Sequence, residues 1–184
     1  MNSSNPYENL ALPIDDGACD HLFNIKIPDI SLPNQNGIFL KLNRTDTFRL
    51  VIYCFSRTGH PERSLPKDWE SIPGAKGCTI QNCTFRDNYE ELILLNSLPI
   101  GLSSQSVDDL NEMTKRLKIP YDVLSDQNLT FVKSLSLPTF SISNDTYIKR
   151  LTLIIEKSKI KKVFYPIFSP NKHIQDVINY LKEN

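Results

Sequence analysis

The feature that most restricts the fold of this chain is the apolar stretch Leu50–Phe55, which contains no charged side chain. A run of aliphatic, β-branched and aromatic residues of this length predicts a strand that is buried on both faces. Such a strand needs other elements packed above and below its sheet, and helices are the usual cover. With 184 residues, the chain is long enough to bury a core without the support of disulfides or metals.

Further strands and helices alternate on either side of this strand. Before it, residues 27–32 and 38–42 flank a turn-rich segment with Asn36-Gly37, a strong hairpin signal. After it, we predict strands at 99–103, 121–124, 150–156 and 160–165, helices at 78–96, 107–117 and 171–181, and one more helix capped by Ser125-Asp126. A βαβ half followed by a ββα half predicts an α/β protein with a thioredoxin-like fold, a mixed central β-sheet flanked by helices.

Composition and charge restrict the classes of partner. Residues 1–24 are polar and lack periodicity, so we expect an N-terminal tail followed by a single domain over residues 25–184. No targeting segment and no long apolar run is found, which favours a cytoplasmic protein without a membrane partner. Lysine plus arginine equals aspartate plus glutamate at 21 each, and this balance argues against a nucleic-acid partner.

Two of the four cysteines are close together at a predicted helix start. Cys78 opens the helix 78–96, where free N–H groups and the helix dipole favour a thiolate over a thiol. A thiolate can attack the O–O bond of a hydroperoxide and become a sulfenic acid, which a second thiol converts to a disulfide. Cys83 is the natural second thiol.

The spacing of the two cysteines sets a condition on that disulfide. Cα atoms five residues apart in an intact helix are about 8.6 Å apart, from ~1.5 Å rise and ~100° per residue. A disulfide needs Cα atoms within ~7 Å. A Cys78–Cys83 bond therefore requires the first turns of the helix to unwind.

Other interpretations of the cysteines stay open on spacing alone. Free cysteines are among the most buried residues, so both thiols could be inert parts of a structural or binding module. A zinc site is disfavoured, because the chain has only three histidines and no second close cysteine pair. Cys54 is predicted to be a core residue of the apolar strand, and Cys19, on the polar tail, is expected to have no role.

The segment around Cys78 and Cys83 resembles a known family. Residues 77–87, Gly-Cys-Thr-Ile-Gln-Asn-Cys-Thr-Phe-Arg-Asp, resemble the G-C-T-x-x-x-C-x-F-R-D signature of the bacterioferritin-comigratory (Q-type) peroxiredoxins. Residues 28–37 are similar to the P-D-F-x-L-x-x-x-x-G opening of that family, and residues 150–155 resemble its R-x-T/S-F-x-I strand. The resemblance covers about residues 25 to 182.

This resemblance implies a thiol peroxidase that reduces hydrogen peroxide and organic hydroperoxides. It implies Cys78 as the peroxidatic cysteine, Cys83 as the resolving cysteine of an intramolecular disulfide, and Arg150 as the residue that stabilises the thiolate and orients the peroxide. It further implies a thioredoxin-type dithiol as reductant. We expect a monomer or weak homodimer that requires no metal or organic cofactor.

The chain departs from the family pattern in the long loop 56–77. The family carries a threonine three residues before the peroxidatic cysteine, and Ala75 stands there instead. The loop resembles a redoxin branch that reads T-G-x-P, then P-x-x-W-x-x-I-P-G-A-x-G-C-T. Thr58 and Ser71 are the candidates for the missing hydroxyl, and Trp69 is predicted to anchor the loop.

Two alternatives to a peroxidase remain. The first is a thiol oxidoreductase or redox sensor with the same fold, whose disulfide cycles without efficient turnover of peroxide. The second is a non-catalytic binding module with inert thiols. Peroxide consumption separates the first alternative from a peroxidase, and the oxidation state of Cys78 after mild peroxide treatment tests the second.

Overall fold

The computed structural model describes residues 12–43 and 48–184. The strands are β1 Ser31–Pro33, β2 Phe39–Lys41, β3 Arg49–Cys54, β4 Ser97–Ser103, β5 Val123–Ser125, β6 Thr139–Ile142, β7 Asp145–Ile148, β8 Leu151–Glu156 and β9 Lys159–Phe164. The helices are α1 Cys78–Asp87, α2 Tyr89–Leu94, α3 Val107–Leu117, α4 Thr130–Ser134 and α5 His173–Glu183.

The five-stranded central sheet has the order β5-β4-β3-β8-β9, with β3 in the middle. β3 pairs in parallel with β4, so that Ile52 lies beside Ile100, and antiparallel with β8, where Ile52 lies beside Leu153. β4–β5 is parallel and β8–β9 is antiparallel. The predicted α/β architecture with a mixed central sheet is confirmed.

The two faces of β3 contribute to two separate cores, as the apolar run predicts. Val51 and Tyr53 pack with residues of α1, α3 and α5. Leu50, Ile52 and Cys54 pack on the opposite face, against α4 and the segments that precede β1 and β3. Because side chains alternate along a strand, one uninterrupted apolar run supplies both faces.

The predicted helix 78–96 is two helices. α1 ends at Asp87, and Asn88 leaves the helical region with φ −109° and ψ 16° before α2 begins. The Asn88 side-chain amide donates to the Thr84 carbonyl oxygen at 2.8 Å. Asparagine competes in this way with the backbone for helical hydrogen bonds, which accounts for the break.

The packed part of the chain begins earlier than the predicted boundary at residue 25. Cys19 and Leu22 lie in the core, at the start and end of a short 3₁₀ turn. The backbone N–H of Asn24 donates to the Ile160 carbonyl oxygen at 2.8 Å, which joins this segment to β9. The isolated apolar residues of the segment are enough to dock it, although they show no periodicity. Residues 1–11 of the predicted tail lie outside the described residues.

The described part of the chain contains a hairpin within the sheet and two hairpins outside it. The predicted β1–β2 hairpin and the hairpin formed by β8 and β9 are both present. The β6–β7 hairpin, in which Thr139 pairs with Ile148, is not predicted from the sequence because polar residues obscure its alternation. Among the described residues, no helix combines the length and the hydrophobicity needed to cross a membrane.

Candidate active site

Cys78 is the first residue of α1, as predicted, and its side chain is buried. Gly77 precedes it with φ +107°, a conformation that L side chains rarely adopt. A Cβ at this glycine would lie 2.6 Å from Cγ of Pro170, so a larger residue would fit only if Pro170 or the turn moved. This tight turn places Cys78 at the helix end where backbone N–H groups and the dipole favour an anion.

Arg150 lies directly beside the Cys78 sulfur. Its Nη2 is 3.1 Å from Cys78 Sγ, although the two residues are 72 positions apart in the chain. Nη2 also donates to the Lys76 carbonyl oxygen at 3.1 Å, while Nη1 donates to the Gly74 carbonyl oxygen and Nε to Gln81 Oε1, both at 3.0 Å. The structure therefore brings two of the three predicted site residues into contact.

Within residues 12–43 and 48–184, Arg150 has no carboxylate partner. The ion pairs that connect the described residues do not include it, and the residue is only 5% exposed. A buried cation whose protein acceptors are neutral carbonyl groups leaves its charge uncompensated. A thiolate at Cys78 would compensate that charge at hydrogen-bond distance, so the arrangement stabilises the anionic sulfur.

The hydroxyl beside Cys78 belongs to Ser56, which is not among the candidates predicted from the sequence. Ser56 Oγ lies 3.2 Å from Cys78 Sγ and 3.3 Å from the Ala75 carbonyl oxygen. Thr58 is buried elsewhere, where its N–H and hydroxyl both donate to Gln105 Oε1. Ser71 is exposed and donates to the Asp68 carbonyl oxygen. The signal that could have found Ser56 is its position immediately after the apolar strand.

The long loop 56–77 is fastened by Trp69, as predicted. The indole is 2% exposed and lies against the β6–β7 hairpin, with ring centroids 5.7 Å from Phe140 and 5.0 Å from Tyr147. Carbonyl groups of the same loop, at Gly74 and Lys76, hold Arg150. Anchoring the loop on the hairpin therefore fixes the acceptors that orient the guanidinium.

Cys83 lies on α1 five residues after Cys78 and is partly exposed. Both cysteines are free thiols within one continuous helix, so a bond between them requires α1 to change. The other two thiols, Cys19 and Cys54, are buried in the core on the opposite face of the central sheet from Cys78. Burial and neighbouring aspartates raise the pKa of Cys19 to about 12, and burial raises the pKa of Cys54 far above its ordinary value. Cys54 is a core residue, as predicted.

A mainly apolar cavity of about 320 Å³ lies beside Arg150, and the loop residues Ile72, Pro73 and Gly74 contribute to its lining. Ile72, Phe140 and Ile167 contribute apolar walls, and Arg150 forms part of the lining. The N-terminal segment closes one side, and Asp16 of this segment accepts from Lys149 Nζ at 2.9 Å and from the Tyr165 hydroxyl at 2.8 Å. These two contacts lower the pKa of Asp16 to about 2, so the contact is retained down to acidic pH.

Known structures with this fold resemble the chain over nearly its whole length. Peroxidoxin BcpB of Mycobacterium tuberculosis superimposes with a TM-score of 0.72 at 21% identity, covering 88% of this chain and 97% of that chain. The bacterioferritin comigratory protein of Xanthomonas campestris, studied for its alkyl peroxide reduction activity, has a TM-score of 0.67 at 15% identity, covering 95% and 98%. The predicted thioredoxin-like fold is confirmed.

Sequence similarity then defines the family. Chloroplastic peroxiredoxin Q of Arabidopsis thaliana is 28% identical over 156 residues, which are 84% of this chain and 64% of that protein. The chain thus spans about 64% of the length of the curated relatives that it resembles. The sequence profile of the AhpC/TSA family matches residues 24–163. The chain belongs to the AhpC/TSA family.

Proposed function

We propose that this protein is a thiol-dependent peroxidase in which Cys78 reduces hydroperoxides. The observation that carries this proposal is the buried Arg150 guanidinium, 3.1 Å from Cys78 Sγ and without a carboxylate partner among the described ion pairs. A cation placed in this way stabilises the thiolate and can also donate to the departing oxygen of a peroxide. An inert core thiol would not need either contribution.

The proposed reaction assigns a step to each of these groups. The Cys78 thiolate attacks one oxygen of the hydroperoxide, the O–O bond breaks, and the leaving oxygen takes up a proton as water or an alcohol. Sulfur is oxidised to a sulfenic acid and the peroxide is reduced by two electrons. The thiol of Cys83 then attacks the Cys78 sulfur, the S–O bond breaks, and a disulfide and water result. A dithiol reductant returns both cysteines to thiols by exchange.

The cavity beside Arg150 supports organic hydroperoxides as substrates in addition to hydrogen peroxide. Its volume of about 320 Å³ and its apolar walls can hold a short hydrocarbon chain near the guanidinium. The alkyl peroxide reduction studied in the Xanthomonas campestris protein of the same fold supports this substrate class. Activity toward an alkyl hydroperoxide and toward hydrogen peroxide should therefore be compared in one assay.

The reductant, oligomeric state and location are parts of the same proposal. A thioredoxin-type dithiol is suited to an intramolecular Cys78–Cys83 disulfide, because one of its thiolates attacks a sulfur of the disulfide and its second thiol then resolves the mixed disulfide. We propose a monomer or weak homodimer in the cytoplasm. Gel filtration at micromolar concentration tests the first, and cell fractionation tests the second.

The decisive experiment is peroxide consumption with a thioredoxin system. We expect turnover in the wild type, none above background in Cys78→Ser, and no sustained turnover in Cys83→Ser, which should accumulate a sulfenic acid at Cys78. Cys54→Ala is the matched control, because this thiol is fully buried on the opposite face of the sheet, and it should retain turnover.

The alternatives give different results in this experiment. A Cys78–Cys83 disulfide that cycles while peroxide is consumed no faster than by free dithiol would indicate a redox sensor. Wild-type protein that forms neither a disulfide nor a sulfenic acid, as judged by intact mass, would contradict every redox function proposed for these thiols.

A further inference from the structure

A buried polar cluster joins α1 to the central strand behind Cys78. The Tyr53 hydroxyl of β3 donates to Asn82 Oδ1 at 2.8 Å, and Asn82 Nδ2 donates to the Cys78 carbonyl oxygen at 2.9 Å. The Tyr121 hydroxyl oxygen is 3.1 Å from that of Tyr53. Since a carbonyl oxygen only accepts, the Tyr53 proton is directed to Asn82, and Tyr121 donates to Tyr53.

The residues around the Tyr53 hydroxyl leave just enough space for it. A Cβ on Gly101 of β4 would lie 2.9 Å from the Tyr53 hydroxyl oxygen, so glycine leaves room for it. Tyr53 and Asn82 are both fully buried. A buried amide is costly unless its polar atoms are paired, and here both ends of Asn82 are paired.

Asn82 lies in the part of α1 that must unwind for a Cys78–Cys83 disulfide. The second half of the helix is held by other contacts: the Phe85 ring stacks on Tyr53 with centroids 4.1 Å apart, and Arg86 Nη1 donates to the Leu117 carbonyl oxygen at 2.6 Å. Unwinding of the first half can therefore proceed while the second half stays in place. It separates Asn82 from Tyr53, because Tyr53 remains in the sheet.

Among the described residues, the first half of α1 is held by contacts to the Cys78 sulfur, by the bond from Arg150 to Gln81 and by the bond from Tyr53 to Asn82. Oxidation of Cys78 directly weakens the contacts to the sulfur. Arg150 and Ser56 contact the Cys78 sulfur, and Arg150 Nε also donates to Gln81 Oε1. When the thiolate becomes a neutral sulfenic acid, its attraction to the guanidinium falls. The hydrogen bond between Tyr53 and Asn82 involves no charge and is unaffected by this change.

We propose that Asn82 and Tyr53 are positioning residues for disulfide formation, whose hydrogen bond sets how readily the first half of α1 unwinds after Cys78 is oxidised. This inference rests on the proposed function, since it requires the Cys78–Cys83 disulfide. A stronger hydrogen bond between Tyr53 and Asn82 slows unwinding and so lengthens the lifetime of the sulfenic acid at Cys78. A second hydroperoxide can then oxidise it to a sulfinic acid, with water or an alcohol as the other product, before Cys83 arrives.

Two substitutions cut this hydrogen bond from opposite sides. Tyr53→Phe leaves the sequence of α1 unchanged. Asn82→Ser keeps a similar helix propensity and can still bond to the Cys78 carbonyl oxygen, but it is too short to reach Tyr53. Tyr121→Phe is the matched control, because it removes a hydroxyl from the same cluster and leaves the bond between Tyr53 and Asn82 intact.

The measurement separates the two oxidation steps by rapid mixing with hydrogen peroxide and quenched-flow intact mass. We expect Tyr53→Phe and Asn82→Ser each to accelerate disulfide formation about five- to tenfold, as the loss of one buried hydrogen bond allows. The peroxide-dependent first step should stay within about twofold. Less sulfinic acid should form at high peroxide, and the double variant should be no faster than the faster single variant.

The outcomes that overturn the inference are distinct from failure of the proposed function. Wild-type rates of disulfide formation in both variants would overturn the inference and leave the peroxidase proposal standing. An equal acceleration in Tyr121→Phe would also overturn it, because loosening of the whole cluster would then explain the effect. Absence of both the sulfenic acid and the disulfide in the wild type would contradict the proposed function itself.

Discussion

Cys54 and Cys78 are two buried thiols near the same end of the central strand, and they differ in what surrounds them. Cys54 ends β3 and faces the apolar core, where burial raises its pKa far above the ordinary value. Cys78 lies on the other face, where it contacts Arg150 and the hydroxyl of Ser56. The two sites are adjacent in the chain, since only Phe55 separates Cys54 from Ser56.

The comparison indicates that burial without a charged partner disfavours the thiolate, which is the form of cysteine that attacks a peroxide. A low-dielectric environment disfavours any thiolate that lacks a partner. At Cys78 the helix N-terminus, the guanidinium of Arg150 and a hydroxyl replace the lost solvation. Removing these groups one at a time should therefore lower the reactivity of Cys78 with peroxide toward that expected for Cys54.

The largest effect is expected from Arg150→Met, which keeps much of the side-chain volume and removes the charge. The second-order rate of Cys78 with hydrogen peroxide should fall by about 10²- to 10³-fold, the range found for the loss of one well-placed donor in an active site. Stopped-flow mixing under single-turnover conditions measures this rate.

Arg150→Lys is the control for charge without the guanidinium fork. Its rate should lie between those of the wild type and Arg150→Met, because an ammonium group cannot reach the sulfur and the Gln81 amide with the same fixed geometry. A rate for Arg150→Met within twofold of the wild type would show that Arg150 is not the cause of the difference in reactivity between Cys78 and Cys54.

A smaller effect is expected from Ser56→Ala, which removes the hydroxyl 3.2 Å from Cys78 Sγ. The same single-turnover rate should fall by about tenfold, the lower end of what the loss of one hydrogen bond to a charged group produces. Ser71→Ala is the matched control, since this exposed hydroxyl bonds to the Asp68 carbonyl oxygen and should not matter. Equal rates in both variants would remove Ser56 from the account.

The smallest effect is expected at Cys19, a thiol outside the site, and it concerns the free energy of unfolding at alkaline pH. Burial raises the pKa of Cys19 from 9.0 to about 12, so above pH 9 the unfolded chain releases a proton that the folded protein retains. The free energy of unfolding should therefore fall as pH rises from 9 toward 12, by up to about 1.4 kcal/mol per pH unit for this thiol.

Urea unfolding at pH 8, 9 and 10 checks this prediction when the wild type is compared with Cys19→Ala. The variant should show a shallower loss of stability, and the titration of tyrosines common to both proteins cancels in the difference. If the free energy of unfolding fell equally with pH in the two proteins, burial would not raise the pKa of Cys19 as described.

Local patterns in the sequence predict those elements whose structure is determined by residues close together in the chain. The run Leu50–Phe55 predicts a strand with two buried faces, and Cys78 is predicted at a helix start. The break at Asn88 is a local competition for one carbonyl that helical periodicity does not reveal. The β6–β7 hairpin is hidden by its polar residues.

Contacts between distant positions account for what could not be predicted. Arg150 is identified through the family resemblance, but its bonds to loop carbonyls depend on how the loop is anchored by Trp69. Ser56 replaces the predicted Thr58 or Ser71 because the chain turns at the end of β3, and the residue spacing does not specify that turn. The same holds for the bond between Tyr53 and Asn82, whose partners belong to a strand and a helix.

The central claim is that the surroundings of Cys78, and not burial, determine which thiol reacts with peroxide. The most direct measurement uses Cys83→Ser protein, one equivalent of hydrogen peroxide, a reagent that labels sulfenic acids, and peptide mass spectrometry. The account predicts a label on Cys78 and none on Cys54 or Cys19. A label on Cys54, or no label on Cys78, would contradict it.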